Sequence, residues 1–204
     1  MADPAPDITI NLPSKYAPAK AESTGSSPAP SLEWLTRTWT VTHSTLSMWR
    51  SARNVRISYT GLPPRPDGCA RIDDLVEYEP TKKTDVLKTV EGVDTAATAS
   101  GASWDWRGKG WLFFVSSHWE IMAWGESRRE EDGKVERWAV TWFAPTVFTK
   151  EGVDVYCDRR EGLSEATYGR IEEALRKVEP KELAGMVEQD MRPVEIKLPW
   201  VEKK

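Results

Sequence analysis

The chain has no uninterrupted apolar stretch approaching the ~20 residues that a bilayer-crossing helix needs. Its start, Met1-Ala2-Asp3-Pro4-Ala5-Pro6, has neither the basic nor the apolar region of a secretory signal, so membrane insertion and classical export are not expected. Cysteine is scarce: Cys69 and Cys157 cannot build a disulfide framework and form no CxxC pair, which fits a reducing, cytoplasmic setting and excludes a thiolate zinc site. No basic block occurs, and the net charge is −4, so nucleic acid is excluded as the main partner. Phosphate-loop, dinucleotide-loop, nucleophile-elbow and HExxH motifs are all missing. With only His43 and His118 in the chain, no metal site and no cofactor are expected.

What is abundant is tryptophan, with eleven residues against five tyrosines and four phenylalanines. Trp brings a large apolar body and one N–H donor, which suits either a thick core or a wall around a flat ligand. The first thirty residues stand apart. They hold six of the fourteen prolines and no hydrophobic period, so residues 1–30 are expected to be a mobile extension and residues 31–204 the folded domain. Within the extension, Ile8-Thr9-Ile10-Asn11-Leu12 is a short apolar piece able to dock.

From Ser31 the dominant period is two. Trp39, Val41 and His43 alternate with Thr38, Thr40, Thr42 and Ser44, and Val55, Ile57 and Tyr59 alternate with Asn54, Arg56 and Ser58. Further strands are expected at residues 70–79, 86–93, 111–117, 118–124, 137–144 and 153–159, about eight and up to ten in all. Eight antiparallel strands close into a barrel whose interior holds side chains or one small ligand. Ser164 caps an expected helix to about Val178, a second short helix starts at Pro180, and residues 193–200 form a last extended piece against the wall.

This all-β order, an eight-stranded antiparallel up-and-down barrel with a C-terminal helix packed outside, resembles the calycin superfamily. Leu35-Thr36-Arg37-Thr38-Trp39 is similar to the first-strand motif in which a Trp closes the barrel floor, with Arg37 where the family has Gly. Val153-Asp154-Val155-Tyr156-Cys157-Asp158-Arg159-Arg160 resembles the last strand, which implies that Arg159 or Arg160 covers Trp39. Trp106-Arg107-Gly108-Lys109-Gly110-Trp111, with Ser116-Ser117-His118-Trp119-Glu120, resembles small cytosolic lipocalin-like proteins associated with natural-product biosynthesis.

Candidate catalytic residues follow from the alternation. If Trp39 faces inward, so does His43. His118 shares a face with Glu120, which could orient its imidazole as a general base, although Trp119 and Ile121 are the more natural inward pair. Ile72, Val76 and Tyr78 carry Asp74 to the apolar side, where a carboxylate must be paired or protonated; Arg56 or Arg71 would be the partner. Trp39, Val41, Tyr59, Tyr78, Trp106, Trp119 and Trp142 are the expected ligand-lining set, with the Trp104-Asp105-Trp106 segment as a lid.

Three functions remain open. The first is a cofactor-independent isomerase or cyclase, pericyclic chemistry included, acting on an apolar or aromatic intermediate. The second is a non-catalytic carrier of a hydrophobic small molecule. The third is nitrobindin-like haem binding through His43 or His118. Besides the small molecule, a second copy of the chain in a homodimer is the one partner considered.

Overall fold

A computed structural model describes residues 7–17, 28–98, 100–129 and 131–202. A short helix α1 (Leu32–Leu35) leads into β1 (Thr38–Ser44), followed by β2 (Ala52–Leu62), β3 (Arg71–Pro80), β4 (Lys88–Ala96), β5 (Ser103–Gly108), β6 (Ser116–Arg128), β7 (Val135–Phe143) and β8 (Gly152–Cys157). Each strand pairs antiparallel with the next, and β1 pairs with both β8 and β2, which closes an eight-stranded barrel. Helices α2 (Glu165–Arg176) and α3 (Lys181–Asp190) and the two-residue β9 (Arg192–Pro193) follow.

Two strand expectations are corrected. Residues 104–106 belong to β5 and form no lid: Trp104 and Trp106 alternate with Ser103, Asp105 and Arg107 as a strand requires. Residues 111–115, a continuous apolar run that reads as a buried strand, lie instead in a connection. Gly110 there has φ +58°, and a Cβ on Gly108 would lie 2.4 Å from the Leu112 carbonyl, so the chain turns tightly and the run cannot extend.

Two bulges redirect side chains. Between Val41 and His43 the register against β8 shifts by one residue, so Val41 faces inward while His43 pairs with Val155 on the outer face. A second shift between Ile121 and Ala123 puts Ala123 on the outer face together with Met122.

The barrel has two cores. One lies in the interior and includes Trp39, Val41, Tyr59, Trp104, Trp119 and Tyr156. The other lies outside, where Val140, Val153 and Val155 meet Ile171 and Leu175 of α2 and Leu183 and Val187 of α3. Buried Glu136 accepts the Ser164 backbone N–H at 3.0 Å and its hydroxyl, while Ser164 caps Thr167, which fixes the start of α2 on the wall.

Past the β1 bulge, β1 leaves β2 and pairs with β9, and the following residues run parallel to β2 at Arg53–Glu195. A segment inserted between two antiparallel strands must be antiparallel to one and parallel to the other, and the C-terminal strap meets both conditions. Asn54, in the left-handed region at φ 51°, locks it: the side chain donates to Glu79 and the Lys197 carbonyl, both at 2.8 Å, and accepts from Lys197 N at 2.7 Å. Of the N-terminal segment, residues 7–17 lie on the outer core, with Ile8, Ile10 and Leu12 packed there and Asn11 N bonded at 2.7 Å to the Met122 carbonyl exposed by the bulge. The expectation for residues 1–6 and 18–27 falls outside the described residues.

Candidate functional site

The floor of the barrel is aromatic. Trp34 of α1 packs on Trp39 at 5.0 Å and on Trp124 at 4.9 Å between ring centroids, and Trp39 donates its indole N–H to the Leu35 carbonyl. The cation over Trp39 is Arg37, 5.4 Å from the ring centroid and ion-paired with Asp158; it is neither Arg159, which pairs with Glu161, nor Arg160, which lies over Trp200. Arg37 reaches over the ring from the bend just before β1, so the residue at the motif's glycine position supplies the covering charge.

Above the floor the strands bring acids and phenols together. Tyr59 and Asp74 are direct neighbours across β2 and β3, Asp74 neighbours Gly92 across β3 and β4, and Asp94 neighbours Trp106 across β4 and β5. Gly92 is required: a Cβ there would sit 2.0 Å from Trp106 Nε1, so its absence lets the indole lie beside Asp74. Trp119 stacks between Tyr59 and Trp104, at 5.7 and 6.0 Å, and donates its N–H to Asp94 Oδ1 at 2.7 Å. On the far wall, Asp154 accepts from the Ser44 hydroxyl and the Trp49 indole, next to Tyr156.

Burial dominates the electrostatics. It pushes the Asp74 carboxyl well above its ordinary range, helped by the negative charges of Asp94 and Asp73, and it raises Asp94 against the bond from Trp119. Burial likewise raises Asp154 to about 7 despite the Ser44 and Trp49 hydrogen bonds, and pushes the Tyr59 and Tyr156 phenols well up. Asp74 has no ion pair among the described residues: Arg56 lies on the other face of the sheet, beside Trp200, where Glu77 and Glu79 engage it. Asp74 Oδ1 and Asp94 Oδ2 are buried without a hydrogen-bond partner in the protein, and the Tyr156 phenol lies beside Tyr59 and Thr141.

Of the expected lining residues, Trp39, Val41, Tyr59 and Trp119 are buried in the interior; Tyr78 and Trp106 are partly buried against it, Tyr78 edge-on to Trp49 at 5.7 Å. Trp142 does not line the interior. It lies in the outer core and donates to Glu151 at 2.6 Å, because the inward positions of β7 are Ala139, Thr141 and Phe143.

The two histidines are also outside. The bulge places His43 against Tyr168 of α2, with stacked rings 3.4 Å apart, and burial lowers its pKa to about 4. His118 bridges Asp105 at 2.7 Å and Glu120 at 3.3 Å, and Glu120 also accepts from Ser14 N. His118 and Glu120 thus form an outer-face polar cluster apart from Asp74. Asp94, Asp154 and Tyr156 escaped the sequence reading, although the spacing Val90, Gly92, Asp94, Ala96 already puts Asp94 on the inner face.

No family model matches the chain, and no curated protein is similar to it in sequence. Among solved structures, lobster apocrustacyanin A1 superposes with a TM-score of 0.51 at 10% identity, covering 93% of this chain and 91% of that one. Apocrustacyanin C2 gives a TM-score of 0.49 at 8% identity over 80% of this chain and 78% of its own. The first likeness, taken with the closed strand order, makes this a lipocalin-like barrel in fold.

Proposed function

We infer that the barrel interior binds a small, largely apolar or aromatic molecule carrying a polar oxygen. The observation that carries this reading is the pair of buried carboxylate oxygens without protein partners, Asp74 Oδ1 and Asp94 Oδ2, within a ring of tryptophans. An unmet buried polar atom costs about 1–3 kcal/mol, so a ligand that satisfies these atoms gains affinity as well as apolar burial.

The same groups suit cofactor-independent isomerisation or cyclisation. Asp74, held neutral by burial, can donate its proton to a ligand carbonyl oxygen while Asp94 takes a proton from the adjacent carbon. Asp94 then returns its proton at a different carbon while Asp74 takes its own back from the oxygen, which completes an isomerisation with no redox change. Such chemistry would fit a biosynthetic enzyme in a reducing compartment, and Cys69 and Cys157 are both unpaired. The carrier reading uses the same interior groups without proton transfer. Haem binding is disfavoured: neither imidazole faces the interior where the macrocycle would need its axial ligand.

The test is a titration of carbonyl-bearing polyketide-, terpenoid- and fatty-acid-like compounds, followed by intrinsic Trp fluorescence and by product analysis. Saturable quenching with a converted compound, lost in Asp74→Asn, supports the enzyme. Quenching with full recovery supports the carrier, and no quenching by any compound overturns both.

A further inference from the structure

In an up-and-down barrel, alternate connections lie at the same end. Residues 45–51, 81–87, 109–115 and 144–151 therefore ring one mouth, opposite the Trp34–Trp39 floor. Nine large apolar side chains are exposed among the described residues, and six of them, Met48, Trp111, Phe113, Phe114, Val147 and Phe148, sit on three of these four connections. Trp111 is 78% exposed and Phe148 66%. Isolated exposed apolar groups are ordinary; six gathered at one pole are not.

The charge at this pole runs against that of the chain. The four connections carry five cations, Arg50, Lys82, Lys83, Lys109 and Lys150, against two carboxylates, Asp85 and Glu151, whereas the whole chain is at −4. Glu151 is already engaged by Lys15 and Tyr16, and Lys109 by Asp73. Between the first and last connections a cleft of about 420 Å³ runs past Met48, Phe148 and Lys150, with Glu151 and Asp190 also on its wall.

We propose that this mouth docks on an anionic lipid surface, with the apolar tips entering the headgroup–acyl boundary and the lysines meeting lipid phosphates. A protein interface of this size would be depleted in lysine, whereas membrane interfaces pair Trp and Phe with Lys and Arg. The tips sit on three separate turns, which a deformable bilayer can meet together. Docking of this kind needs no membrane-crossing segment, and no described helix is long and apolar enough to be one. It is independent of the ligand held in the interior.

Flotation with phosphatidylcholine vesicles, with and without phosphatidylglycerol, tests this on the full chain. The expected result is binding to the anionic vesicles that falls at least about tenfold at high salt. Binding should also be lost in Trp111→Ser/Phe113→Ser/Phe114→Ser and in Lys82→Glu/Lys83→Glu/Lys150→Glu, both keeping the wild-type circular dichroism spectrum. Brominated lipids should quench wild-type fluorescence more than that of Trp111→Phe. Absent flotation, or flotation unchanged in either variant, overturns the proposal. Sedimentation showing a dimer that the apolar substitutions dissociate, without vesicle binding, overturns it in favour of a second copy of the chain.

Discussion

Trp119 donates its indole N–H to Asp94 at 2.7 Å deep inside the barrel, and this one bond ties the aromatic stack to the acidic cluster. Removing the donor leaves both oxygens of Asp94 without a partner, since Oδ2 already has none. Trp119→Phe is therefore expected to destabilise the fold by about 2–4 kcal/mol, from lost ring volume plus an unmet buried acceptor. Urea unfolding measures it, and a loss below about 1 kcal/mol would mean that the bond is replaced by solvent.

Asp154 sets a pH dependence. Its folded pKa is raised by burial to about 7, above the ordinary carboxylate value, so the fold prefers the protonated acid. That stabilisation is complete below about pH 4 and disappears as pH rises through about 7. His43 slopes the other way: its pKa is lowered to about 4, so it lowers stability as pH falls from about 6.5 to about 4. Asp154→Asn should lose less stability than wild type between about pH 4 and pH 8, by a few kcal/mol. Parallel melting curves for the two proteins across that range would contradict a buried, neutral Asp154.

Arg37 is expected to matter where Arg159 does not. Its guanidinium lies over Trp34 and Trp39 and bonds the Trp34 carbonyl at 2.6 Å, whereas Arg159 makes an exposed pair with Glu161. Arg37→Met should cost about 1–2 kcal/mol and Arg159→Met under about 0.5, measured by thermal denaturation.

The barrel itself was legible because period two marks a strand wherever one face is buried, and Asp74 could be placed inside from Ile72, Val76 and Tyr78 alone. His43 could not be placed: a bulge adds one residue without changing the sequence pattern, and every side chain beyond it then changes face. The run 111–115 misled for another reason, since continuous apolar residues fit a buried strand as well as exposed tips, and only the glycines at 108 and 110 carried the difference. Trp142 was misplaced because both faces of its strand are covered, one by the interior and one by the outer core, so hydrophobicity does not tell the faces apart.

His43 stacks on Tyr168 and joins the wall to α2, away from the acids. His43→Phe keeps a flat ring there, so it should leave ligand titrations unchanged while removing the acid-side loss of stability. Its imidazole resonances in wild type should titrate at about 4 by NMR. A midpoint near the ordinary histidine value would place the ring in solvent.

The most direct test of the interior as a ligand site is the affinity of one saturably quenching carbonyl compound for wild type, Asp74→Asn, Asp94→Asn and Tyr156→Phe, with His118→Ala as an outer-face control. The account predicts at least about tenfold weaker binding or lost turnover in one or more of the interior variants, from the broken buried hydrogen bond, and no change in the control. Equal affinity and turnover in all five proteins, or loss confined to His118→Ala, would contradict it.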